Sequence, residues 1–267
     1  MRELLLFGLG PIGLEVLRAI TKGLLKVDKV YAVAPHAEIA KAREILPKLI
    51  ELDEDVAVKM KFSAVLEIAG PQKAKEYVPK FLMQGNTVIM MTSSLLADDD
   101  YMEEIKRITK AYGGRIVVPF GAVGGLDLVN ALSVFEDLKV EVEVRRRPEV
   151  LADVLREAGF EVDATEDVPV VLYEGSAKEE LRKVQKGINT IMAAVLAAGR
   201  DVNLRIVADA SVKGSKYSLI IESPIAKAKL QAEYEVFEED PKLSKIMAYS
   251  ALRALKAVLE GVEVVVF

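Results

Sequence analysis

The sequence contains no cysteine, no tryptophan and a single histidine, His36. Disulfides and thiolate metal sites are therefore excluded, and one histidine cannot build a zinc site of several histidines. We expect a protein that holds no metal. Long hydrophobic runs are also missing, because no segment reaches the roughly 18 consecutive apolar residues of a membrane span. The first residues lack the pattern of a signal peptide, so we expect a cytoplasmic protein without membrane contact.

An excess of charge of one sign is absent too. The formal net charge is -5, and no basic block could neutralise a row of phosphates, so nucleic acid is not an expected partner. Hydrophobic residues make up 51% and charged residues 29% of the 267 residues, which indicates a globular chain long enough for two domains. Little asparagine and glutamine beside much lysine, arginine and glutamate is typical of proteins from hot environments.

Strands and helices alternate in the first half of the sequence. Residues 4–7 form an apolar run that ends in glycines, and apolar residues then recur at helical spacing before a second run at 30–34. A strand, a helix and a strand in this order require parallel pairing with a right-handed crossover. Further strands are predicted at 64–68, 87–91 and 115–119, and helices at 72–84 and 98–112. The predicted fold class is α/β, with a doubly wound parallel sheet of the Rossmann type.

The second half has a different pattern. Apolar and charged residues alternate over 139–146, as in a half-exposed strand. Further strands are predicted at 168–173, 202–208, 217–223 and 226–236, around one long helix at 178–198. These elements indicate an α+β domain with a mostly antiparallel sheet, inserted before a C-terminal helix.

The last helix is predicted over 241–259, because Asp240 is a favourable N-cap and Pro241 suits the first helical position. We expect this helix to return to the first domain. The predicted domains are residues 1–121 with 240–267, which bind a dinucleotide, and residues 122–239, which form the α+β domain.

The sharpest motif, GLGPIG at residues 8–13, lies between the first strand and the first helix. Gly8 permits the tight turn, Gly10 lets the backbone approach a pyrophosphate, and Gly13 allows close helix packing. The helix that begins at Pro11 and Ile12 offers unpaired N–H groups and a positive dipole to an anion. We predict that these five residues bind a dinucleotide, and a glycine-rich turn without a ligand is the alternative.

The acidic residue that usually binds the ribose hydroxyls is missing. The second strand ends in Ala34, Pro35 and His36, so no carboxylate stands there to repel a 2′-phosphate. NADP is therefore tolerated as well as NAD, and Lys41 or Arg43 could approach the phosphate. His36 either lies against the adenosine or is an exposed histidine without a role.

Two further strand ends reach the same edge of the sheet. Ala69 and Gly70 follow the strand at 64–68, at the edge where doubly wound sheets bind ligands, so we predict that they contact the cofactor. The next strand ends in the hydroxyl residues 92–94. Capping of the following helix is favoured for them over binding.

The stretch PFGAVGGLD at residues 119–127 is rich in small residues. Small residues allow the backbone to pass very close to another group. At the end of a strand, a nicotinamide ring is a natural neighbour, and a hinge between domains is the alternative. Asp127 either orients a substrate or caps the following helix.

Several motifs occur in a fixed order along the chain. They are GLGPIG at 8–13, GAVGGLD at 121–127, YEGSA at 173–177, Lys186 with Asn189, and DPKLS at 240–244. Together they resemble the L-aspartate dehydrogenase family over nearly the whole chain. The resemblance implies a Rossmann domain interrupted by an α/β domain for catalysis and dimerisation, a homodimer, and NAD or NADP as cofactor. It also implies oxidative deamination of L-aspartate to iminoaspartate, which supplies NAD biosynthesis or hydrolyses to oxaloacetate and ammonia.

The resemblance implies roles for three residues near the middle of the chain. Ala122 and Asn189 take the positions of the family's cofactor contacts beside the nicotinamide. Lys186 fits the family's K-N-x-N stretch, in which Gly187 replaces the first asparagine, and a surface lysine without a role is the alternative.

The sequence departs from the family at the position of the family's catalytic histidine. In the family this histidine follows a V-A-D segment, which is residues 207–209 here. Counting on without a gap places Lys216 at that position. A lysine acts as a base only where burial or a neighbouring cation lowers its pKa. Lys216 could instead bind a substrate carboxylate and leave Tyr217 as the proton donor. DPKLS differs from the family's N-P-K/R-T-S at Asp240 and Leu243, which would alter a pocket for an anionic amino acid.

Three hypotheses follow from the sequence. The first is an aspartate dehydrogenase in which another group replaces the histidine. The second is a related NAD(P)-dependent dehydrogenase with another substrate. The third is a relative that binds a dinucleotide without catalysis.

Overall fold

The computed structural model describes residues 1–157, 169–184 and 188–261. They fall into two compact units. The first unit comprises residues 1–95, 99–119 and the C-terminal segment from Met247. The second comprises residues 96–98 and the described parts of 120–246. Within the described residues, no helix is long and apolar enough to cross a membrane.

The first unit is built on a six-stranded sheet in the order β3-β2-β1-β4-β5-β6, and every strand pair in it is parallel. Its strands are β1 (Glu3–Phe7), β2 (Lys29–Val33), β3 (Ile50–Glu51), β4 (Ala64–Glu67), β5 (Thr87–Met90) and β6 (Arg115–Val117). Its helices are α1 (Pro11–Thr21), α2 (His36–Ile45), α3 (Glu54–Ala57), α4 (Pro71–Met83) and α5 (Asp99–Tyr112). The predicted doubly wound parallel sheet is confirmed.

Continuous apolar strands form the centre of this sheet. Leu4, Leu5 and Leu6 of β1 are all 0% exposed, because helices cover both faces of the strand. Helix α1 buries Val16 and Leu17 on one side, which matches the helical spacing of its apolar residues. The apolar runs of the sequence are therefore the central strands, and their buried ends define one edge of the sheet.

The C-terminal helix belongs to the first unit. Helix α10 (Ile246–Glu260) accepts a hydrogen bond at the Leu259 carbonyl from Arg2 Nε at 3.1 Å. The Tyr249 hydroxyl donates to Glu15 of α1 at 3.3 Å. Through these two hydrogen bonds the last helix contacts the start of the chain.

The start of this helix differs from the prediction. The sequence favours a helix from 241, but Asp240 closes a turn instead. Its side chain accepts from the Lys242 backbone N–H at 3.1 Å and its carbonyl accepts from the Leu243 N–H at 3.0 Å. Ser244 then forms an isolated bridge with Val236, so the helix begins after it.

The second unit contains a five-stranded mixed sheet in the order β11-β10-β7-β9-β8. Its strands are β7 (Lys139–Arg146), β8 (Val170–Ser176), β9 (Asn203–Ala208), β10 (Ser215–Glu222) and β11 (Lys227–Tyr234). Its helices are α6 (Leu126–Leu132), α7 (Pro148–Glu157), α8 (Ala177–Lys183) and α9 (Thr190–Ala198). In the part of this second sheet that the structure describes, only the β7–β9 pair is parallel, so the predicted mostly antiparallel sheet is confirmed.

The long helix predicted at 178–198 is wrong, because the structure has α8 and α9 instead. Ser176 caps α8 by accepting from the Glu179 N–H, and Val184 leaves helical geometry with φ -103° and ψ 90°. Helical spacing of apolar residues in both parts makes the two helices look continuous in the sequence.

Residues 120–122 pack tightly against the start of α9. Thr190 Oγ1 accepts from the Ala122 N–H at 2.7 Å and donates to the Phe120 carbonyl at 3.2 Å. A Cβ on Gly121 would overlap the same oxygen, and Gly121 has a φ of 66°. The glycine is therefore required both by its backbone conformation and by the threonine.

We expect Gly121→Ala to destabilise the protein more than Gly199→Ala. The two glycines have similar positive φ values, 66° and 64°, so both substitutions cost about 1–2 kcal/mol of backbone strain. Only the Cβ at residue 121 meets a neighbour, since nothing lies within 4 Å of one at residue 199. Urea denaturation should show an additional loss of about 2 kcal/mol for Gly121→Ala. Equal losses would contradict the tight packing against Thr190.

Candidate functional site

A cavity of about 950 Å³ opens at the carboxyl ends of the parallel strands in the first unit. It is lined by residues 7–10, 33–35, 51–56 and 68–69, with Glu38, Lys73 and Tyr77. Doubly wound sheets bind their ligands at this edge. Of the predicted cofactor residues, Gly8, Gly10 and Ala69 line the cavity.

The three glycines of residues 8–13 occupy their positions for different structural reasons. Gly8 has a φ of 105°, and a Cβ there would lie 2.7 Å from the Ile68 carbonyl oxygen. A Cβ on Gly13 would lie 2.9 Å from the Ile68 side chain. Gly10, by contrast, borders the open cavity, and a Cβ added to it would have nothing within 4 Å. Two glycines therefore serve packing, and Gly10 leaves space for a ligand.

Helix α1 begins at this opening with Gly10 as N-cap and Pro11 in the first turn, and no side chain caps it. The N–H groups of Ile12 and Gly13 belong to the first turn, where a helix has no carbonyl partners of its own. Uncapped N–H groups and the helix dipole suit a pyrophosphate. The residues present therefore fit a dinucleotide.

Glu67 is fully buried at the end of β4 and connects two strand ends. Its carboxylate accepts from the Ala69 N–H at 3.0 Å, from the Thr92 N–H at 3.0 Å and from the Thr92 hydroxyl at 2.9 Å. The Thr92 hydroxyl, which the sequence groups with residues that cap the next helix, thus binds Glu67. The carboxylate fixes the loop that carries Ala69 into the cavity wall.

Burial raises the pKa of Glu67 to about 7, although the backbone N–H groups of Thr92, Ala69 and Gly70 act in the opposite direction. The charge of Glu67 contributes in turn to a raised pKa of Tyr101, whose main cause is burial. A group with the pKa of Glu67 changes its charge near neutrality.

Ala34 and Pro35, which follow β2 where the sequence predicts the ribose, line the cavity. His36 is outside the lining: its side chain is 83% exposed, and Nδ1 lies 3.3 Å from Glu51. Arg43 pairs with the same carboxylate at 3.3 Å. Lys41 is exposed and likewise does not line the cavity.

In the second unit the structure brings together Ala122 and the start of α9. Asn189 is the N-cap of α9, and its neighbour Thr190 holds the Ala122 N–H. Ala122 itself is 0% exposed. Ala122 and Asn189, which the resemblance assigns to the nicotinamide, are therefore both next to Thr190. Lys186 lies outside the described residues.

Lys216 and Tyr217 point to opposite faces of the second sheet, because successive strand residues alternate. Lys216 pairs in register with Arg145 and Glu233. Tyr217 is 3% exposed, and together with Val123 it lines a small cavity of about 120 Å³. Tyr217, and not Lys216, therefore shares a face with the glycine-rich loop at 121–127.

Arg146 lies beside Tyr217 and is 2% exposed. Its Nη2 donates to the Tyr217 hydroxyl oxygen at 2.7 Å, and its Nη1 donates to the Lys242 carbonyl at 2.6 Å. Its Nε has no hydrogen-bond partner among the described residues. This one guanidinium connects the DPKLS turn at 240–244 to the strand that carries Tyr217.

Asp209, the end of the V-A-D segment, belongs to the Lys216 face. Arg145 donates to it at 3.2 Å and to Glu143 at 2.6 Å. The pKa of Asp209 is lowered chiefly by the hydrogen bond from the Ser211 side chain, and further by Arg145. Arg145 is thus paired with two carboxylates on the Lys216 face. Arg146 is the buried cation on the Tyr217 face.

Comparison with known proteins relates this arrangement to one family. Residues 127–258 match the model of the aspartate dehydrogenase C-terminal domain, and residues 8–119 match that of the homoserine dehydrogenase NAD-binding domain. L-aspartate dehydrogenase of Methanopyrus kandleri is 31% identical over 268 residues, which cover 98% of each chain. The chain belongs to the L-aspartate dehydrogenase family. It is accordingly a nicotinamide-dependent dehydrogenase with NAD or NADP as cofactor.

Two further comparisons, one of sequence and one of structure, give the same family. L-aspartate dehydrogenase of Methanocaldococcus jannaschii is 28% identical over 267 residues, 99% of each chain. The crystal structure of aspartate dehydrogenase from Thermotoga maritima has a TM-score of 0.72 at 24% identity, with 100% of both chains covered. The two matches therefore extend over the whole length of these relatives.

Sequence reasoning missed the structural role of Glu67 in the first unit and the burial of Arg146 in the second. Glu67 looks in the sequence like part of a strand end, although a glutamate in an apolar strand is an unusual position that requires partners. Arg146 ends an alternating strand and looks like an exposed residue of a charged run. Its burial depends on the later DPKLS turn, which no local pattern reveals.

We expect Glu67 to make the stability of the protein depend on pH. Its pKa in the folded protein, about 7, is above the ordinary value of 4.5, so the folded state is favoured at low pH and loses stability as pH rises from about 4.5 through 7. The full loss is at most about 3 kcal/mol. Urea denaturation between pH 5 and pH 8, a range of about 3 units around this pKa, should show a smaller slope for Glu67→Gln than for the parent. Identical slopes would show that the buried carboxyl does not titrate.

Proposed function

We propose that this chain catalyses the NAD(P)-dependent oxidative deamination of L-aspartate to iminoaspartate. The Cα–H bond of aspartate breaks with transfer of a hydride, the amine loses a proton as the C=N bond forms, and water then hydrolyses the imine to oxaloacetate and ammonia. NAD(P), when bound, supplies the hydride acceptor. The observation that carries the proposal is the match to L-aspartate dehydrogenases over 98% or more of the chain.

The first unit supplies the cofactor cradle in this proposal. Gly10 leaves the space for the pyrophosphate, and the first turn of α1, which begins at Pro11, presents the N–H groups of Ile12 and Gly13 to it. Ala69 lines the cavity at a second strand end, and Glu67 holds its N–H.

The second unit supplies the groups for proton transfer. The Tyr217 oxygen accepts from Arg146, so its own O–H hydrogen is directed elsewhere and is available to a substrate. We assign acid/base work to Tyr217 on this geometry. Lys216, which gap-free counting places at the histidine position, is on the other face, where a cation could only attract a carboxylate.

Three outcomes of one assay test the reaction. Purified protein with L-aspartate and NAD or NADP should produce the reduced nicotinamide, detected by its absorbance. Turnover with another amino acid and none with aspartate would show that the substrate is not aspartate. The departures from the family motif at Asp240 and Leu243 would explain that result. Cofactor binding without turnover on any amino acid would support a non-catalytic relative.

The acid/base assignment is tested by two pairs of variants. Tyr217→Phe should lower kcat by about 100-fold, whereas Lys216→Ala should leave kcat nearly unchanged. Tyr217→His should be active, with a kcat that changes with pH near neutrality as the new histidine titrates. The kcat of Lys216→His should show no such change. Because Tyr217→Phe leaves a buried guanidinium N–H without its partner, thermal unfolding of each variant separates lost stability from lost chemistry. Loss of activity in Lys216→Ala alone would return the role to Lys216.

The cofactor cradle has its own test in Gly10→Ala. The added methyl fills open space at the cavity and meets no protein atom, so we expect unchanged thermal stability but NADH binding weakened by about tenfold or more. Gly23→Ala, whose Cβ also meets nothing within 4 Å but lies outside the cavity, is the control for affinity and should bind NADH as the parent does. Because Gly23 has a φ of 74°, this control loses stability through backbone strain, so only its affinity is compared. Unchanged affinity in Gly10→Ala would place the pyrophosphate elsewhere.

We further propose that the second unit is the catalytic and dimerisation domain of a homodimer, as the family resemblance implies. Light scattering of the purified protein tests this directly. A monomeric mass at micromolar concentration would contradict it.

A further inference from the structure

We infer that the adenosine end of the cavity selects NAD(H) over NADP(H), through carboxylates on α2, β3 and the segment around α3. This inference rests on the cofactor site of the proposed function and specifies which nicotinamide dinucleotide that site takes. The usual acid at the end of β2 is absent, and neighbouring elements take over its effect.

The position of β3 brings its carboxylates to the ribose end. Ala32 of β2 is in register with Glu51, and the Leu52 N–H donates to the Ala32 carbonyl at 2.9 Å. The chain at Glu51 and Asp53 therefore runs beside the end of β2, where Rossmann folds bind the adenosine ribose. Glu38, in the first turn of α2, also lines the cavity.

The cavity lining is strongly acidic. The residues that line it include five carboxylates and one cation, Lys73. Lys73 is bound to Glu54 at 2.6 Å, and the Tyr77 hydroxyl donates to the same carboxylate at 2.6 Å, so this lysine is occupied. Glu38 and Asp53 have no ion pair with any cation among the described residues.

The cations that the sequence offered for a 2′-phosphate do not line the cavity. Arg43 is paired with Glu51 at 3.3 Å and its Nε donates to the Leu49 carbonyl at 3.5 Å. Lys41 is exposed on α2. A 2′-phosphate, with a charge approaching about -2, would therefore meet carboxylates without a bidentate cation. NAD has a free hydroxyl in place of the 2′-phosphate, and this hydroxyl can donate a hydrogen bond to one of the carboxylates.

The test measures binding of NADH and NADPH to the intact protein by isothermal titration calorimetry, without turnover. We expect NADPH to bind at least about tenfold more weakly than NADH at low salt, and the ratio to shrink as ionic strength rises. Glu38→Gln and Asp53→Asn should each bring the two dissociation constants closer together by improving NADPH binding.

Glu103→Gln is the matched control. It removes the same charge from the same unit, at a glutamate on α5 that is 72% exposed, pairs with Lys106 and does not line the cavity. The control should leave the NADH to NADPH ratio unchanged. A change equal to that in the cavity variants would mean that net charge, and not the cavity wall, sets the ratio, and would overturn the inference.

Failure of the inference and failure of the proposed function give different results. Equal or tighter binding of NADPH by the parent protein overturns the inference and leaves an NADP-dependent dehydrogenase. Cavity variants that leave the ratio unchanged also overturn it. If neither nucleotide binds, the cofactor site itself is wrong and the proposed function fails with it.

Discussion

The approach of the turn after β1 to the end of β4 is the constraint on which the cavity of the first unit depends. Gly8 lies so close to the Ile68 carbonyl that no side chain fits between them, and Gly13 lets α1 pack on the same isoleucine. This contact fixes the start of α1 relative to the sheet, so the uncapped first turn faces the cavity. Any residue larger than glycine at position 8 would move the helix and with it the uncapped N–H groups of its first turn.

Glu67 fixes the same place from the other side, at an energetic cost. A buried carboxylate is unfavourable unless it is bound, and here backbone N–H groups and the Thr92 hydroxyl bind it. These hydrogen bonds hold two strand ends together next to Ala69. Stability and ligand geometry are thus coupled through one side chain, a compromise common at functional sites.

Much of the first unit could be predicted from the sequence, because central parallel strands read as uninterrupted apolar runs and glycine motifs mark the turn. The short β3 and α3 have no such run, so the acidic cavity wall at Glu51 and Asp53 could not be foreseen. The faces of Lys216 and Tyr217 depend on strand register, which gap-free counting against a motif does not fix. Asp240 satisfies the local rule for a helix start, yet backbone pairing of Ser244 with Val236 prevails.

The position of α10 makes the first unit discontinuous in the chain. Arg2, next to the first strand, binds the Leu259 carbonyl, and Glu15 binds Tyr249, so both partners lie far downstream in the sequence. During synthesis on the ribosome, the dinucleotide-binding sheet therefore emerges long before the helix that completes it. The part of α1 that contacts α10 stays uncovered until the second unit has been synthesised. Docking of the last helix is therefore the step that completes the first unit.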